Sequence, residues 1–338
     1  PTTPGERPTP LCPYSEAWDW LYTMQPTYMF IICVLGIIGN IFVLVVFCLH
    51  KKPCTVAEIY LSNLAVADLI LLSCLPFWAI NIANEFNWQF GEALCRLVNT
   101  GIKINMYGSI YSLVLVSADR YVALVHTMSH GRMRRPFYAK LSCMAVWGLA
   151  ILLSIPTLTF RHVHHVPEFD VTACLLDYPS LASELTCDLM LILFGFIIPL
   201  SVITFCTYRI CLALQGQALD RFNAQNTEKK ATVLVLVVLL VFLLCWIPFH
   251  LVTFLDVLAR LEVLTGCVLE TGLEICNQFF TYLALSNSVL NPILYVIVGK
   301  NFRKKVIELV KQFTLQRRMT SGSTKSQFSS TLKTFASN

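Results

Sequence analysis

Seven long apolar stretches dominate this sequence, and each is long enough to cross a lipid bilayer, which takes about 20 mainly apolar residues in a helix. The chain has 338 residues, of which 56% are hydrophobic and 13% are charged, a balance too apolar for a soluble domain. The pattern predicts an all-α membrane protein built as a seven-transmembrane helix bundle. The predicted spans cover residues 27–49, 56–81, 94–125, 141–160, 186–213, 230–258 and 271–298.

The loops on the two sides of the predicted bilayer differ in charge. Lysines and arginines mark cytoplasmic loops, and here they cluster around residues 51–52, 132–135 and 229–230 and in "KNFRKK". We therefore expect a multi-pass plasma-membrane protein with an extracellular N-terminus and a cytoplasmic C-terminus. The opposite loops are rich in acids, which attract cationic partners, although acidic loops also serve solubility alone.

The segments outside the spans suggest four regions. We expect an extracellular tail over 1–26, the bundle over 27–299, an amphipathic membrane-surface helix over 300–314 and a disordered cytoplasmic tail over 315–338. The third region alternates apolar and basic residues at helical spacing, which favours a surface helix over a solvated one. The last is rich in serine and threonine.

Four of the fourteen cysteines are expected on the extracellular side. They are Cys12, Cys95, Cys174 and Cys267. An even number in an oxidising compartment predicts two disulfides, and spacing alone leaves three pairings open.

Ionisable residues inside the predicted spans are few, and such residues are functional candidates because their burial in a bilayer is costly. The candidates are Asp68, Lys103, Asp119 and Arg120. For Asp119 and Arg120 a plain charge pair near the lipid headgroups is the alternative. Asp68 lies well inside its span and has no such alternative.

These residues and their neighbours resemble the rhodopsin-like family of G-protein-coupled receptors. The matching motifs occur in order along all seven spans: "GN" at 39–40, "LAVAD" ending at Asp68, Cys95, "DRY" at 119–121, Trp147, Pro199, "CWIP" at 245–248 and "NPILY" at 291–295. The resemblance implies a receptor that is not an enzyme and that signals to a heterotrimeric G protein.

The resemblance also implies a conformational switch. Its expected members are Asp119, Arg120, Tyr121, Glu228, Asn291, Pro292 and Tyr295. Arg120 would be held at rest by Asp119 and Glu228, although Glu228 also fits a solvated loop charge. Pro248 removes a backbone hydrogen bond and kinks its helix, and Trp246 beside it would sense the ligand.

By the same resemblance, a sodium ion would act as an allosteric modulator in mid-membrane, with no obligatory cofactor. The expected ligand shell is Asp68, Asn105, Ser109, Asn287 and Asn291. Asn105 and Ser109 are four residues apart and so share a helix face. A polar network bridged by water is the alternative.

Spacing within span six suggests where a ligand would bind. Trp246, Phe249, Thr253 and Asp256 lie along one helix face, with Asp256 about 12 Å outward of Pro248.

Glu274 and Gln278 on span seven would complete a rim that suits a guanidinium group, because arginine makes short, charge-assisted bonds to carboxylates. Lys103, about 12 Å below Cys95, would repel a small amine and attract a carboxylate.

At finer scale the chain resembles the kinin (bradykinin) receptors, through stretches such as "CTVAEIYLSNLAVADLI", "VTACLLDYPSL" and "TFLDVLARL". The likeness is greatest to type 2, whereas Lys103 matches type 1 and Leu285 departs from type 2.

The kinin likeness implies a cationic peptide whose N-terminal arginine meets Asp256 and Glu274 and whose C-terminal carboxylate meets Arg161. It also implies disulfides Cys95–Cys174 and Cys12–Cys267.

The expected partners are the lipid bilayer, a G protein of the Gq class with Gi as the alternative, receptor kinases and arrestin, and no nucleic acid. An angiotensin-like or chemokine-like peptide receptor is the nearest alternative. A transporter is disfavoured because the seven spans show no repeat, and a membrane enzyme because neither HExxH nor GxSxG occurs.

Overall fold

The computed structural model describes residues 16–51, 53–125, 135–167, 170–216 and 225–314. Within these ranges seven helices are long and apolar enough to cross a membrane, which confirms the predicted seven-helix bundle. Six of them are α1 (Glu16–Leu49), α2 (Val56–Ala83), α3 (Gly91–Val125), α4 (Pro136–Phe160), α6 (Gln225–Arg260) and α7 (Cys267–Ile297).

The fifth spanning helix, α5, contains a wider turn that the sequence analysis did not predict. It runs as Leu181–Ile192, a π-helical segment Leu193–Ile197, and Ile198–Gly216. The Tyr111 hydroxyl on α3 donates a hydrogen bond of 2.9 Å to the Phe194 carbonyl in this segment. A Cβ atom added to Gly195 would lie 3.4 Å from the His250 ring of α6. The π-helical segment therefore brings α5 close to both α3 and α6.

A β-hairpin that the sequence analysis also missed lies over one end of the bundle. Strands β1 (Arg161–Val166) and β2 (Val171–Leu176) pair antiparallel, with Arg161 opposite Leu176. A disulfide joins Cys174 on β2 to Cys95 at the start of α3. This confirms one predicted disulfide; Cys12 lies outside the described residues and the Cys267 side chain is not described, so the other stays a prediction. We call this end of the bundle the disulfide end, and the opposite one the Asp119 end.

Close helix packing closes the bundle between its first and last helices. The helices α1 and α7 contact each other, and so do α1 and α2, α2 and α3, and α6 and α7. At Gly39 on α1 the approach is so close that a Cβ atom would lie 2.9 Å from the ring of Pro292 on α7. Glycine at this position therefore allows α1 to pack directly on the proline of "NPILY".

A short helix, α8, over residues 300–314 follows α7 at the Asp119 end. Phe302 is buried, and its ring contacts those of Phe47 and Tyr295. The Lys305 ammonium donates to the Glu58 carboxylate at 2.8 Å, and Glu58 also completes the N-terminal capping box of α2. The helix is thereby fixed against α1 and the start of α2.

Candidate functional site

Two adjacent cavities lie at the disulfide end of the bundle. The inner cavity has a volume of about 300 Å³ and is lined by Trp246, Phe249, Lys103 and Arg161 among others. The outer cavity, of about 580 Å³, lies between α6 and α7. Gln278 lines both cavities, so the two lie next to each other. Residues of span six, of span three and of the end of span four are thus brought to one inner cavity.

The inner cavity contains two basic side chains. Arg161 donates hydrogen bonds to the Asn99 side-chain oxygen at 2.8 Å and to the Cys174 carbonyl at 3.3 Å, and its guanidinium lies 5.8 Å from the ring centroid of Trp78. Burial lowers the pKa of Arg161 to about 10, and nearby Tyr178 partly opposes the shift. Arg161 therefore remains protonated at neutral pH. Its Nε hydrogen is buried and has no acceptor among the described residues.

Lys103 on α3 lines the same cavity, as its depth below Cys95 predicted. Within the described part of the chain, no carboxylate lies within ion-pair distance of its ammonium group. The charges that act on it are mainly those of Asp188 and Arg161. Two basic side chains thus face one cavity, an arrangement that favours an anionic group of a ligand.

The outer cavity is lined by acidic and basic groups together. Asp256 and Glu274 both line it, as predicted, and so does Arg260, which the sequence analysis did not assign to a site. The Arg260 guanidinium contacts the Asp256 carboxylate at 2.5 Å and also binds Glu184 and Asp188 on α5. Asp256 is therefore already paired, whereas Glu274 is exposed and makes no ion pair with another described residue. Arginine four residues after Asp256 is the sequence signal that could have found this pair.

Thr253 does not join the other predicted ligand residues. Its hydroxyl donates a hydrogen bond of 2.9 Å to the Phe249 carbonyl of its own helix. It lines neither of the two cavities. A threonine hydroxyl satisfied by the preceding turn is a common feature of helices and needs no ligand.

Asp68 lies at the centre of a buried polar network in mid-bundle. Its carboxylate accepts hydrogen bonds from Asn291 at 3.0 Å, from Asn105 at 3.3 Å and from Ser109 at 3.5 Å. A fourth bond, of 3.0 Å, comes from Ser288, which the sequence analysis missed although it follows Asn287 directly. The structure therefore brings together four of the five residues predicted to form a sodium site.

Asn287 lies beside this network without a hydrogen bond to Asp68. The side-chain oxygens of Asn287 and Asn291 are buried and accept no hydrogen bond from any residue that the structure describes. Unpaired buried oxygens beside a carboxylate are the kind of ligand that a hard cation such as Na⁺ prefers, so the residues fit this ion.

Four of the predicted switch residues lie at the Asp119 end, namely Asp119, Arg120, Tyr121 and Tyr295, whereas Asn291 belongs to the mid-bundle network of Asp68. Arg120 donates from Nε to the Asp119 carboxylate at 3.0 Å, and both side chains are buried. The Tyr121 ring lies 5.7 Å from that of Phe205 on α5. The Glu228 side chain lies outside the described residues, so its contact with Arg120 stays a prediction. The Tyr295 hydroxyl is buried and has no hydrogen-bond partner within the described part of the chain.

Comparison with known proteins defines the class of this chain. The model of the 7 transmembrane receptor (rhodopsin family) matches residues 39–295. The chain therefore belongs to the rhodopsin family of seven-transmembrane receptors, which makes it a multi-pass plasma-membrane protein and not an enzyme.

Within this family the chain is similar to bradykinin receptors. The B2 bradykinin receptor of Rattus norvegicus is 55% identical over 300 residues, which cover 88% of this chain and 76% of the rat receptor. The B2 bradykinin receptor of Homo sapiens is 52% identical over 311 residues, 91% of this chain and 80% of the human receptor. The B1 bradykinin receptor of Macaca mulatta is 42% identical over 301 residues, 88% of this chain and 86% of the macaque receptor. The similarity is greater to these B2 receptors than to this B1 receptor, which confirms the resemblance to the kinin receptors.

Proposed function

We propose that this chain is a receptor for a bradykinin-like cationic peptide, which binds at the disulfide end and activates a heterotrimeric G protein at the Asp119 end. The observation that supports this function best is the separation of charge across the two adjacent cavities. Carboxylates line the outer cavity, and two basic side chains line the inner one. A peptide with a cationic N-terminus and a free C-terminal carboxylate matches this order of charges.

The N-terminal arginine of the peptide binds between Asp256 and Glu274 in this proposal. Both carboxylates line the same cavity, at the ends of adjacent helices α6 and α7. A guanidinium presents several donors in one plane and so reaches two acceptors at once. Gln278, which lines both cavities, supplies a further polar contact to the peptide backbone.

The C-terminal carboxylate binds in the inner cavity, near Arg161 and Lys103. Hydrogen bonds to Asn99 and to the Cys174 carbonyl orient Arg161, whereas the Lys103 ammonium has no such partner among the described residues. Lys103 repels a peptide that brings an additional arginine to this position. This supports a preference for peptides that lack a C-terminal arginine.

Sodium is the proposed allosteric ion of the Asp68 network. The Asp68 carboxylate and the unpaired oxygens of Asn287 and Asn291 would hold it, with Asn105 and Ser109 beside them. When bound, the ion would supply positive charge opposite the buried carboxylate and so stabilise the inactive packing of α2, α3 and α7.

The Asp119 end faces the cytoplasm in this proposal, with the N-terminus outside and the C-terminus inside. The Arg120 guanidinium is held by Asp119 in the structure, and its release would open a binding surface for a G protein of the Gq class, with Gi as the alternative. Receptor kinases and arrestin would act on the serines and threonines of the C-terminal region.

Calcium release in cells that carry the receptor tests this function. Bradykinin should raise cytosolic calcium in these cells but not in untransfected ones, and an angiotensin-type peptide and a chemokine should have no effect. A response to either of those ligands without a response to bradykinin would contradict the proposed ligand class. Binding of labelled bradykinin without calcium release would support the proposed ligand and contradict coupling to Gq.

A further inference from the structure

Arg260 links the ends of two helices through three carboxylates at the outer cavity. Its guanidinium contacts Asp256 on α6 at 2.5 Å, Asp188 on α5 at 3.3 Å, and Glu184 on α5. We call this group the Arg260 cluster. All four side chains are partly exposed, so water and ligands reach them. The cluster is therefore accessible from the cavity and is not a sealed structural ion pair.

The Arg260 cluster brings to Asp256 the same chemical group that a cationic peptide would bring. Arg260 itself lines the outer cavity beside Asp256 and Glu274. A guanidinium of the receptor and a guanidinium of the ligand therefore compete for one carboxylate. Because one arginine is shared by three acids, negative charge remains after pairing, and the site still attracts a second cation.

We infer that Arg260 is a specificity-determining residue that competes with the ligand's cation for Asp256. The inference rests on the proposed function and adds to it a determinant of ligand selectivity. A ligand must displace Arg260 from Asp256, which a bidentate guanidinium does better than a single ammonium group.

Displacement is feasible because Arg260 keeps Glu184 and Asp188 as partners when it leaves Asp256. No charge is then stranded without a partner.

Removal of the competing charge should strengthen binding of arginine-bearing peptides. The probes are bradykinin and an analogue with neutral citrulline in place of the N-terminal arginine, each measured by displacement of labelled bradykinin from intact cells. Arg260→Gln should raise the affinity for bradykinin three- to tenfold and change that for the citrulline analogue less than twofold. Arg260→Ala should give the same result with a smaller side chain. Arg260→Lys, which keeps the charge, should stay within threefold of the unmodified receptor.

A matched control separates this effect from a general loss of positive charge. Arg96 lies at the same end of the bundle, pairs with Glu92 four residues before it at 2.7 Å, and lines neither cavity. Arg96→Gln should change neither affinity by more than twofold. In a receptor that carries Asp256→Asn, Arg260→Gln should give no further gain, because the contested carboxylate is absent.

Three outcomes would overturn the inference. These are a loss of bradykinin affinity in Arg260→Gln, an equal gain for both peptides, and the same gain in Arg96→Gln. Failure of bradykinin to bind the unmodified receptor would instead reject the proposed function, so the two failures are distinguishable.

Discussion

Neutralisation of the two carboxylates at the outer cavity should selectively weaken the binding of arginine-bearing peptides. The changes are Asp256→Asn and Glu274→Gln, which keep the size of each side chain and remove its charge. Asp256 already pairs with Arg260 and its side chain is 25% exposed, whereas Glu274 is exposed and unpaired among the described residues. Neither change strands a buried charge, because Arg260 retains its partners on α5.

The size of the effect follows from this exposure. A hydrogen bond to a charged group contributes about 1.5–3 kcal/mol, and solvent screening at partly exposed sites favours the low end of that range. A loss of about 1.5 kcal/mol corresponds to roughly a tenfold weaker Kd. We therefore expect about a tenfold loss of bradykinin affinity for each change. The double variant should lose at most about 100-fold, and less if both acids hold the same guanidinium.

Competition binding with bradykinin and its citrulline analogue measures this loss. The analogue should bind both variants and the unmodified receptor with affinities within about threefold of one another, because it carries no guanidinium at that end. Glu262→Gln is the control, since Glu262 is an exposed acid near the end of α6 that lines neither cavity. Equal losses for the two peptides, or no loss for bradykinin, would refute the assignment of Asp256 and Glu274.

Three further changes test the inner cavity and the polar network. Lys103→Ser should raise the affinity for bradykinin by about fivefold relative to the peptide without its C-terminal arginine. The reason is that like charges about 8 Å apart, at an effective dielectric constant of about 40, repel by roughly 1 kcal/mol. An unchanged ratio of the two Kd values would show that Lys103 does not determine this selectivity. Asn99→Ala removes the side-chain oxygen that accepts a 2.8 Å hydrogen bond from Arg161 and so orients it. A peptide with a free C-terminal carboxylate should therefore lose about fivefold more affinity than its C-terminal amide. Equal losses for the two peptides would indicate a purely structural role for Asn99. In the unmodified receptor, replacing N-methylglucamine chloride with NaCl should lower bradykinin affinity at least twofold. Asp68→Asn should abolish this effect of sodium. The same effect in both receptors would contradict the proposed sodium site.

The helices and the depth of the site residues could be predicted because both depend on local periodicity. Long apolar stretches fix the number of spans, and helical spacing places Trp246, Phe249 and Asp256 toward the disulfide end. A rise of about 1.5 Å per residue likewise places Lys103 at the depth of the inner cavity. These predictions need no knowledge of how the helices pack.

The contacts between helices could not be predicted in the same way. The hydrogen bond from Arg161 to Asn99 joins residues 62 positions apart, and Glu184 lies 76 positions from Arg260. Only the folded hairpin and the packing of α5 on α6 bring these groups together. Thr253 was assigned to the site because it shares a helix face with Asp256. Only part of that face lines the two cavities, and Thr253 lies outside that part.

The central claim is that the outer cavity recognises the positive charge at the peptide's N-terminus and the inner cavity recognises the negative charge at its C-terminus. The most direct measurement is the binding of two altered bradykinins, one with citrulline first and one with a C-terminal amide, to receptors carrying Asp256→Asn or Lys103→Gln. We predict that Asp256→Asn reduces the effect of citrulline and leaves that of the amide. Lys103→Gln should weaken the effect of the amide and leave that of citrulline. Coupling in the opposite order, or no coupling between any pair, would contradict this account.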